Sequence, residues 1–174
     1  MLIVDAQVHL WAGHLPYPPH RPVTDFTAAE LLAEMDAAHV QAAVIHPPPW
    51  DPTANALAIE AARRHPGRLA VLEWLPLDRP ESREGIAGWK RQPGMLGLRF
   101  SFSQPPQRYW ATDGTMDWLW PAAEAAGIPV GLMAADFLPR VGRIAERHPN
   151  LRLLIDHLGR RTDTQDAAAF ADLD

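Results

Sequence analysis

The sequence predicts an α/β fold built on a parallel sheet, with six strand–helix units in succession. Short, nearly continuous apolar runs alternate with longer segments whose apolar residues recur at helical spacing. The predicted strands begin about 30 residues apart on average. With 174 residues, 47% of them apolar, the chain has enough material for one core. We therefore expect a single domain over residues 1–174.

Proline, glycine and polar residues separate the six apolar runs, which we take as strands because each is too short for a helix. The predicted strands are residues 2–4, 42–46, 69–75, 95–100, 128–133 and 151–155. Strands this uniformly apolar are typical of a parallel sheet that is covered on both faces.

Capping residues and proline or glycine stops mark the helices. The first begins at Thr27, with Glu30 completing a capping box, and the second begins at Asp51 or Thr53. The other predicted helices cover 81–91, a segment from Asp113 or Thr115 to Gly127, 138–147, and a final segment from Thr162 or Thr164 to residue 174. Residues 14–26, which are proline-rich, and residues 101–113 are expected to be loops, with His20 facing solvent.

Two architectures fit this order: an open doubly wound sheet and a (β/α)8 barrel. The open sheet usually carries a glycine-rich phosphate loop after its first strand, but here the first glycine is Gly13. Polar residues instead follow or end several strands, as in a barrel, where the strand ends meet at one mouth. These residues are His9, His46, Glu73, Arg99 and His157. The sequence therefore favours a (β/α)8 barrel of the TIM type.

Six units fall short of the eight that close such a barrel. Two more would extend the chain to about 240–280 residues, the usual size of this fold. We therefore expect a fragment truncated after six units, which on its own is not catalytically competent.

Composition excludes several classes of function. The net charge is −5 without a block of Lys and Arg, which argues against nucleic-acid binding. The absence of cysteine excludes a disulfide framework, a Cys-ligated zinc site and a thiol nucleophile. No apolar run approaches the roughly 18 residues of a membrane span, and the N-terminus is unlike a signal peptide. A cytoplasmic protein with a small-molecule substrate is expected, and oligomerisation is left open.

Two strand-end motifs resemble the amidohydrolase superfamily. They read Asp5-Ala6-Gln7-Val8-His9-Leu10-Trp11 and Ile155-Asp156-His157-Leu158-Gly159. The closer likeness is to the amidohydrolase-related branch, which includes 2-pyrone-4,6-dicarboxylate lactonases, sugar lactonases and aminocarboxymuconate-semialdehyde-type decarboxylases. Segments 40–45, 94–100 and 126–130 support it.

The chain departs from the family pattern at the metal ligands. The family's His-x-His is here Gln7-x-His9, and Met133 stands where metal-binding relatives have a histidine. The family's strand-8 aspartate has no counterpart. A catalytic zinc takes three protein ligands, whereas only His9 and His157 lie in the expected places. We therefore expect no cofactor and no full site for zinc or another divalent metal.

The likeness to metal-free lactonases implies roles for individual residues. His9, together with His157, would polarise the substrate carbonyl, and Asp156 would either orient His157 or bond to backbone. Gln7 would hold substrate or water, and Arg99 or Arg160 would clamp an anionic group. The other candidates for substrate binding are Trp11, His46, Glu73 and Tyr109.

Structural roles compete with several of these assignments. Trp11 either stacks on a ring or covers the barrel mouth, while Glu73 is either an acid–base group or the partner of an arginine. Arg99 pairs with either a carboxylate or the substrate.

The leading hypothesis is a lactonase-like hydrolase without a full metal site, acting on a small cyclic ester or a similar carbonyl substrate with a related C–O or C–N bond, which is expected to be anionic. The alternatives are a zinc-dependent decarboxylase of the same branch and a barrel that binds a ligand without turnover.

Overall fold

The computed structural model describes residues 1–16 and 20–160. Within them, six strands alternate with helices in chain order. The strands are β1 (Val4–Val8), β2 (Ala42–Ile45), β3 (Leu69–Glu73), β4 (Met95–Ser101), β5 (Val130–Met133) and β6 (Leu153–Ile155). The helices are α1 (Ala28–Ala37), α2 (Ala54–Arg64), α3 (Pro80–Ile86), α4 (Gln107–Trp110), α5 (Leu119–Ala126) and α6 (Leu138–Arg147). Short 3₁₀ turns cover Trp89–Arg91, Ala135–Phe137 and Asp156–Gly159.

The described strands follow one another in the sheet in their chain order, and the pairs β1–β2, β2–β3, β3–β4 and β5–β6 are parallel. The chain divides into two compact units, one of Met1–Leu75 with Ala87–Leu98 and one of Pro76–Ile86 with the chain from Arg99 onward. The single domain predicted from the sequence stays a prediction.

The core of the first unit lies between the strands β2, β3 and β4 and helix α2. Ile45, Val71, Ala58 and Leu98 are completely buried there. Gly94 precedes β4 with φ +83°, and a Cβ atom at this residue would lie 2.5 Å from the Cβ of Ala62 in α2. Only glycine therefore allows this close approach of the chain to α2.

The core of the second unit is formed by β5 and the residues packed around it. Leu119, Val130 and Leu132 are completely buried, and Phe100 is 1% exposed. Gly127 ends α5 in the left-handed conformation with φ 62°, as its predicted stop signal requires. No helix of the described residues is both long enough and apolar enough to cross a membrane.

Local signals located several elements correctly. The capping box is present at α1, where Thr27 accepts from Glu30 N and the Glu30 side chain accepts from Thr27 N at 2.8 Å. The helix predicted over 138–147 is α6. Thr53 takes the N-cap position of α2 but makes no capping hydrogen bond.

Other boundaries differ from the prediction for identifiable reasons. Strand β1 runs through Val8, because its pairing with β2 continues past the polar Asp5. The segment predicted as a helix over 81–91 breaks before Gly88, the N-cap of the 3₁₀ turn. Neither Asp113 nor Thr115 caps α5, since Asp113 accepts from Thr115 N within the preceding turn.

The predicted loop over 101–113 contains α4, and the strands predicted from residues 128 and 151 begin later, at β5 and β6. The final predicted helix lies outside the described residues.

Candidate functional site

In the first unit, His9 follows β1 and its imidazole has a fixed hydrogen-bond partner. Its Nδ1 lies 2.6 Å from the carbonyl oxygen of His46, which follows β2. A carbonyl oxygen only accepts, so Nδ1 carries the proton. In the neutral ring, Nε2 is then a proton acceptor, and it donates only when the ring is an imidazolium.

Two further aromatic rings pack against His9. The centroid of His20 lies 5.4 Å from that of His9, and the centroid of Trp50 lies 5.8 Å from it. His20 and Trp50 also contact each other, with centroids 4.8 Å apart, and Trp11 lies 6.3 Å from Trp50. Sequence reasoning missed Trp50, although its place directly after three prolines at the end of β2 was an available signal. His20 is exposed as expected, yet it belongs to this group of rings.

Strand register places Glu73 on one face of the sheet. Ile45 pairs with Val71, and Glu73 pairs with Leu98, so these four residues share one face. The structure also brings His9 and the backbone of His46 together. Burial raises the pKa of Glu73 to about 7.

A buried carboxylate ties the loop after β1 to the start of α2. Asp51, 3% exposed, accepts from the backbone N–H of Ala12 at 2.9 Å through Oδ2. Its Oδ1 accepts from the N–H and hydroxyl of Thr53, both at 2.7 Å. Burial would raise the pKa of Asp51, but these hydrogen bonds and the nearby His14 outweigh it, so the pKa is lowered. This carboxylate holds the segment that follows His9.

In the second unit, Arg99 and Asp156 form a nearly buried ion pair. Nε and Nη2 of Arg99 lie 2.8 and 2.7 Å from the same oxygen, Oδ2 of Asp156, and the two side chains are 10% and 6% exposed. Of the two roles considered for Arg99, the structure shows the pairing with a carboxylate. Asp156 therefore directs this oxygen to Arg99, whereas the sequence suggested His157 or backbone as its partner.

The turn after β6 has an uncommon backbone. His157, Leu158 and Gly159 all have positive φ, at 52°, 54° and 69°. Side chains disfavour this conformation, so two consecutive non-glycine residues in it indicate a constrained turn. His157 is exposed there, and Arg160 accompanies it at the end of the described chain.

The remaining candidates lie near the surface. Gln7 is half-buried at the end of β1, where its N–H donates to Asp5 at 3.0 Å. Tyr109 in α4 is 61% exposed. Its neighbour Arg108 donates to the Phe102 carbonyl and to Asp136, both at 3.1 Å.

The fit of a catalytic metal depends on the donors that the fold assembles. Within residues 1–16 and 20–160, no three His, Cys, Asp or Glu side chains form a group able to hold a metal ion. Gln7 offers a neutral amide beside His9, a weak donor for a catalytic divalent ion. The described donor set therefore does not fit a three-ligand metal centre.

Solved structures share the fold. An amidohydrolase from Burkholderia multivorans with bound zinc matches with TM-score 0.77 and 22% identity, over 98% of this chain and 63% of that chain. A probable 2-pyrone-4,6-dicarboxylic acid hydrolase from Acinetobacter baumannii, with citric acid bound, gives TM-score 0.69 and 17% identity, over 92% and 60%. A manganese-bound 5-carboxyvanillate decarboxylase from Novosphingobium aromaticivorans gives 0.67 and 14%, over 91% and 65%.

This chain thus spans less than two thirds of the length of each of these structures. The predicted fold class, a TIM-type (β/α)8 barrel represented by six strands, is confirmed.

A comparison with curated proteins gives no significant match. A family model described as Amidohydrolase matches residues 4–173, almost the whole chain. The resemblance carried by the two strand-end motifs is therefore confirmed, and the chain belongs to the amidohydrolase family.

Proposed function

We propose that this protein hydrolyses a small cyclic ester that carries a carboxylate, as the sequence hypothesis expects. The observation that carries the proposal is the hydrogen bond between His9 Nδ1 and the His46 carbonyl at 2.6 Å. It keeps a proton on Nδ1, so that a neutral His9 ring would accept at Nε2, and it holds the ring just after a strand, where barrel enzymes perform their chemistry. Family membership supports the reaction class.

The tautomer of His9 decides whether its Nε2 accepts or donates a proton. Polarisation of a carbonyl, the role implied by the family resemblance, needs a donor and therefore the imidazolium form. The neutral form instead takes a proton from water at Nε2, while the water oxygen attacks the ester carbon. The ring C–O bond then breaks, and the departing alkoxide takes up a proton to leave a hydroxy acid. We propose this accepting role for His9.

Within the second unit, Arg99 is proposed as a fixed hydrogen-bond donor for a carboxylate. Its pair with Asp156 neutralises much of its charge and engages Nε and Nη2, both on one oxygen. The pairing orients the planar guanidinium, so its other N–H groups can meet a carboxylate with little loss of entropy. His157, Gln7 and Tyr109 remain candidates for contact with the substrate.

The test uses 2-pyrone-4,6-dicarboxylate, because the similar structure from Acinetobacter baumannii is a probable hydrolase of this compound. Binding to the 174-residue chain is measured by calorimetry, and ring opening by loss of the pyrone absorbance, each with and without a chelator. The proposal requires ring opening by this chain, contrary to the sequence expectation that six units alone are not catalytically competent. We expect His9→Gln to reduce that ring opening by about 100-fold with little change in binding. His65→Gln, at the C-cap of α2, is the matched control and should change neither quantity.

The possible results separate the candidate functions. The proposal would be overturned if the chain neither binds 2-pyrone-4,6-dicarboxylate nor opens its ring. Binding without turnover would favour a barrel that only holds a ligand. Ring opening that a chelator abolishes would contradict the metal-free version.

A metal-dependent decarboxylase is the second candidate. Two observations favour it: the similarity to the manganese-bound decarboxylase, and the proton on His9 Nδ1, which leaves Nε2 as the nitrogen that would bind a metal when the ring is neutral. Stoichiometric zinc or manganese in the purified protein, with release of CO₂ from an aromatic carboxylate, would support this candidate. Metal-free protein that still opens the lactone would eliminate it.

A further inference from the structure

The second unit contains a cleft whose charge the proposed reaction does not use. It lies along α6 and the residues around the start of α5, and has a volume of about 360 Å³. Arg140, Arg143 and Arg147 line it. Their spacing of three and four residues puts all three on one side of α6. We call this feature the arginine cleft.

The positive charge of the arginine cleft is poorly balanced. Arg140 lies 3.7 Å from Asp117, whose side chain is 69% exposed, so this ion pair is long and solvated. Within the described residues, neither Arg143 nor Arg147 forms an ion pair. Like charges four residues apart destabilise a helix. The lining thus carries three guanidinium groups and one carboxylate, that of Asp117, and Glu124 is engaged by His148, so the lining has an excess of positive charge.

The rest of the lining favours a small ligand. Trp120 and Ile144 are 5% and 8% exposed and provide an apolar floor. His148 lies at the far end, where its Nδ1 is 3.1 Å from Glu124 Oε2. The three arginines extend over about 10 Å of the helix axis, at 1.5 Å per residue. The volume is in the range of small-molecule sites, roughly 300–1,000 Å³.

We propose that the arginine cleft binds a small oxyanion with two or more negative charges, such as a polycarboxylate or a phosphate. Guanidinium groups bind carboxylate and phosphate oxygens in the same bidentate manner, so both share the recognition chemistry. The ligand lies across the ridge of arginines and against the apolar floor. The site is independent of the hydrolysis proposed above.

The experiment is calorimetric titration of the 174-residue chain at low ionic strength, with citrate and inorganic phosphate as separate probes. We expect saturable binding of at least one probe, weakened by added salt. Arg143→Gln should weaken it by about tenfold through loss of a charge-assisted contact. Arg63→Gln on α2 removes the same charge from another exposed helix position and should leave the affinity unchanged.

Two further measurements make the result decisive. Circular dichroism checks that Arg143→Gln and Arg99→Gln are both folded, and Arg99→Gln tests whether the probe instead binds at the Arg99–Asp156 pair. No saturable binding of either probe would overturn the proposal. So would binding that Arg99→Gln abolishes and Arg143→Gln spares, or an equal effect of Arg143→Gln and Arg63→Gln. Binding of an acidic peptide alone, with neither small anion bound, would also overturn it.

Discussion

Removing the carboxylate of Asp156 should strongly destabilise the protein. Asp156→Ala leaves the guanidinium of Arg99 in a site where that side chain is only 10% exposed. Breaking a buried ion pair by removing one partner costs about 3–5 kcal/mol, because the other charge stays desolvated. Both side chains keep some contact with solvent, so we expect about 3 kcal/mol, the lower end of that range. In a chain of this length, that corresponds to a fall in Tm of about 10 °C.

The assay is urea denaturation followed by circular dichroism, with a double-mutant cycle. Arg99→Met alone should also destabilise, because it leaves the carboxylate buried. The double variant Arg99→Met/Asp156→Leu replaces the pair with apolar groups and should lie within about 1 kcal/mol of the wild type. The control is Glu60→Gln, which removes an exposed ion pair to Arg64 within α2 and should cost about 0.5 kcal/mol at most.

The reasoning would be refuted by an Asp156→Ala variant no less stable than the Glu60→Gln control. Additive effects in the double variant would also contradict it, since they would mean that the two charges do not interact.

Three further predictions concern titration, backbone conformation and a loop. The pKa of Glu73 is raised to about 7 by burial, so its contribution to stability is complete below pH 4.5 and is lost as pH rises to about 7. Glu73→Gln should therefore raise the free energy of unfolding at pH 8 and leave it unchanged at pH 4, and a fall at pH 8 would contradict this.

Gly94→Ala should cost about 2–3 kcal/mol in denaturation experiments, because of its positive φ and the contact with Ala62. Gly142→Ala, with open space in α6, should instead stabilise by about 0.5–1 kcal/mol, and similar effects of both changes would disprove the argument. Asp51→Ala should cost about 2 kcal/mol at pH 7. The lowered pKa of Asp51 means that the wild type loses this contribution as pH falls below the usual aspartate range, so an undiminished effect at pH 2 would exclude the mechanism.

Features encoded by neighbouring residues were predictable from the sequence. The capping box at Thr27 and Glu30 needs only a spacing of three residues, and the stop at Gly127 needs only one residue with φ 62°. The alternation of apolar runs and helical segments likewise predicted the order of strands and helices. The two strand-end motifs predicted the family because each is contiguous in the chain.

Features set by contacts between distant residues were not predictable. Arg99 and Asp156 are 57 positions apart, and nothing near either residue in the sequence selects this partner among the other charged groups. The residue of β4 with which Glu73 pairs depends on an irregularity in the register of β3 and β4 between Val71 and Leu72. The tautomer of His9 depends on a backbone carbonyl, which the side-chain sequence does not reveal.

The carboxylate of Asp51 also connects two loops through hydrogen bonds. It accepts the amide hydrogens of Ala12 and Thr53 with different oxygens, at 2.9 and 2.7 Å. An opening that carries Asp51 away exposes both amides to solvent at once, so their hydrogen-exchange rates should rise and fall together. The segment after His9 is thereby held in place by its hydrogen bond to Asp51, which precedes α2. A ligand that reduces the opening of one loop should therefore slow amide exchange in the other loop as well, even though it does not contact that second loop.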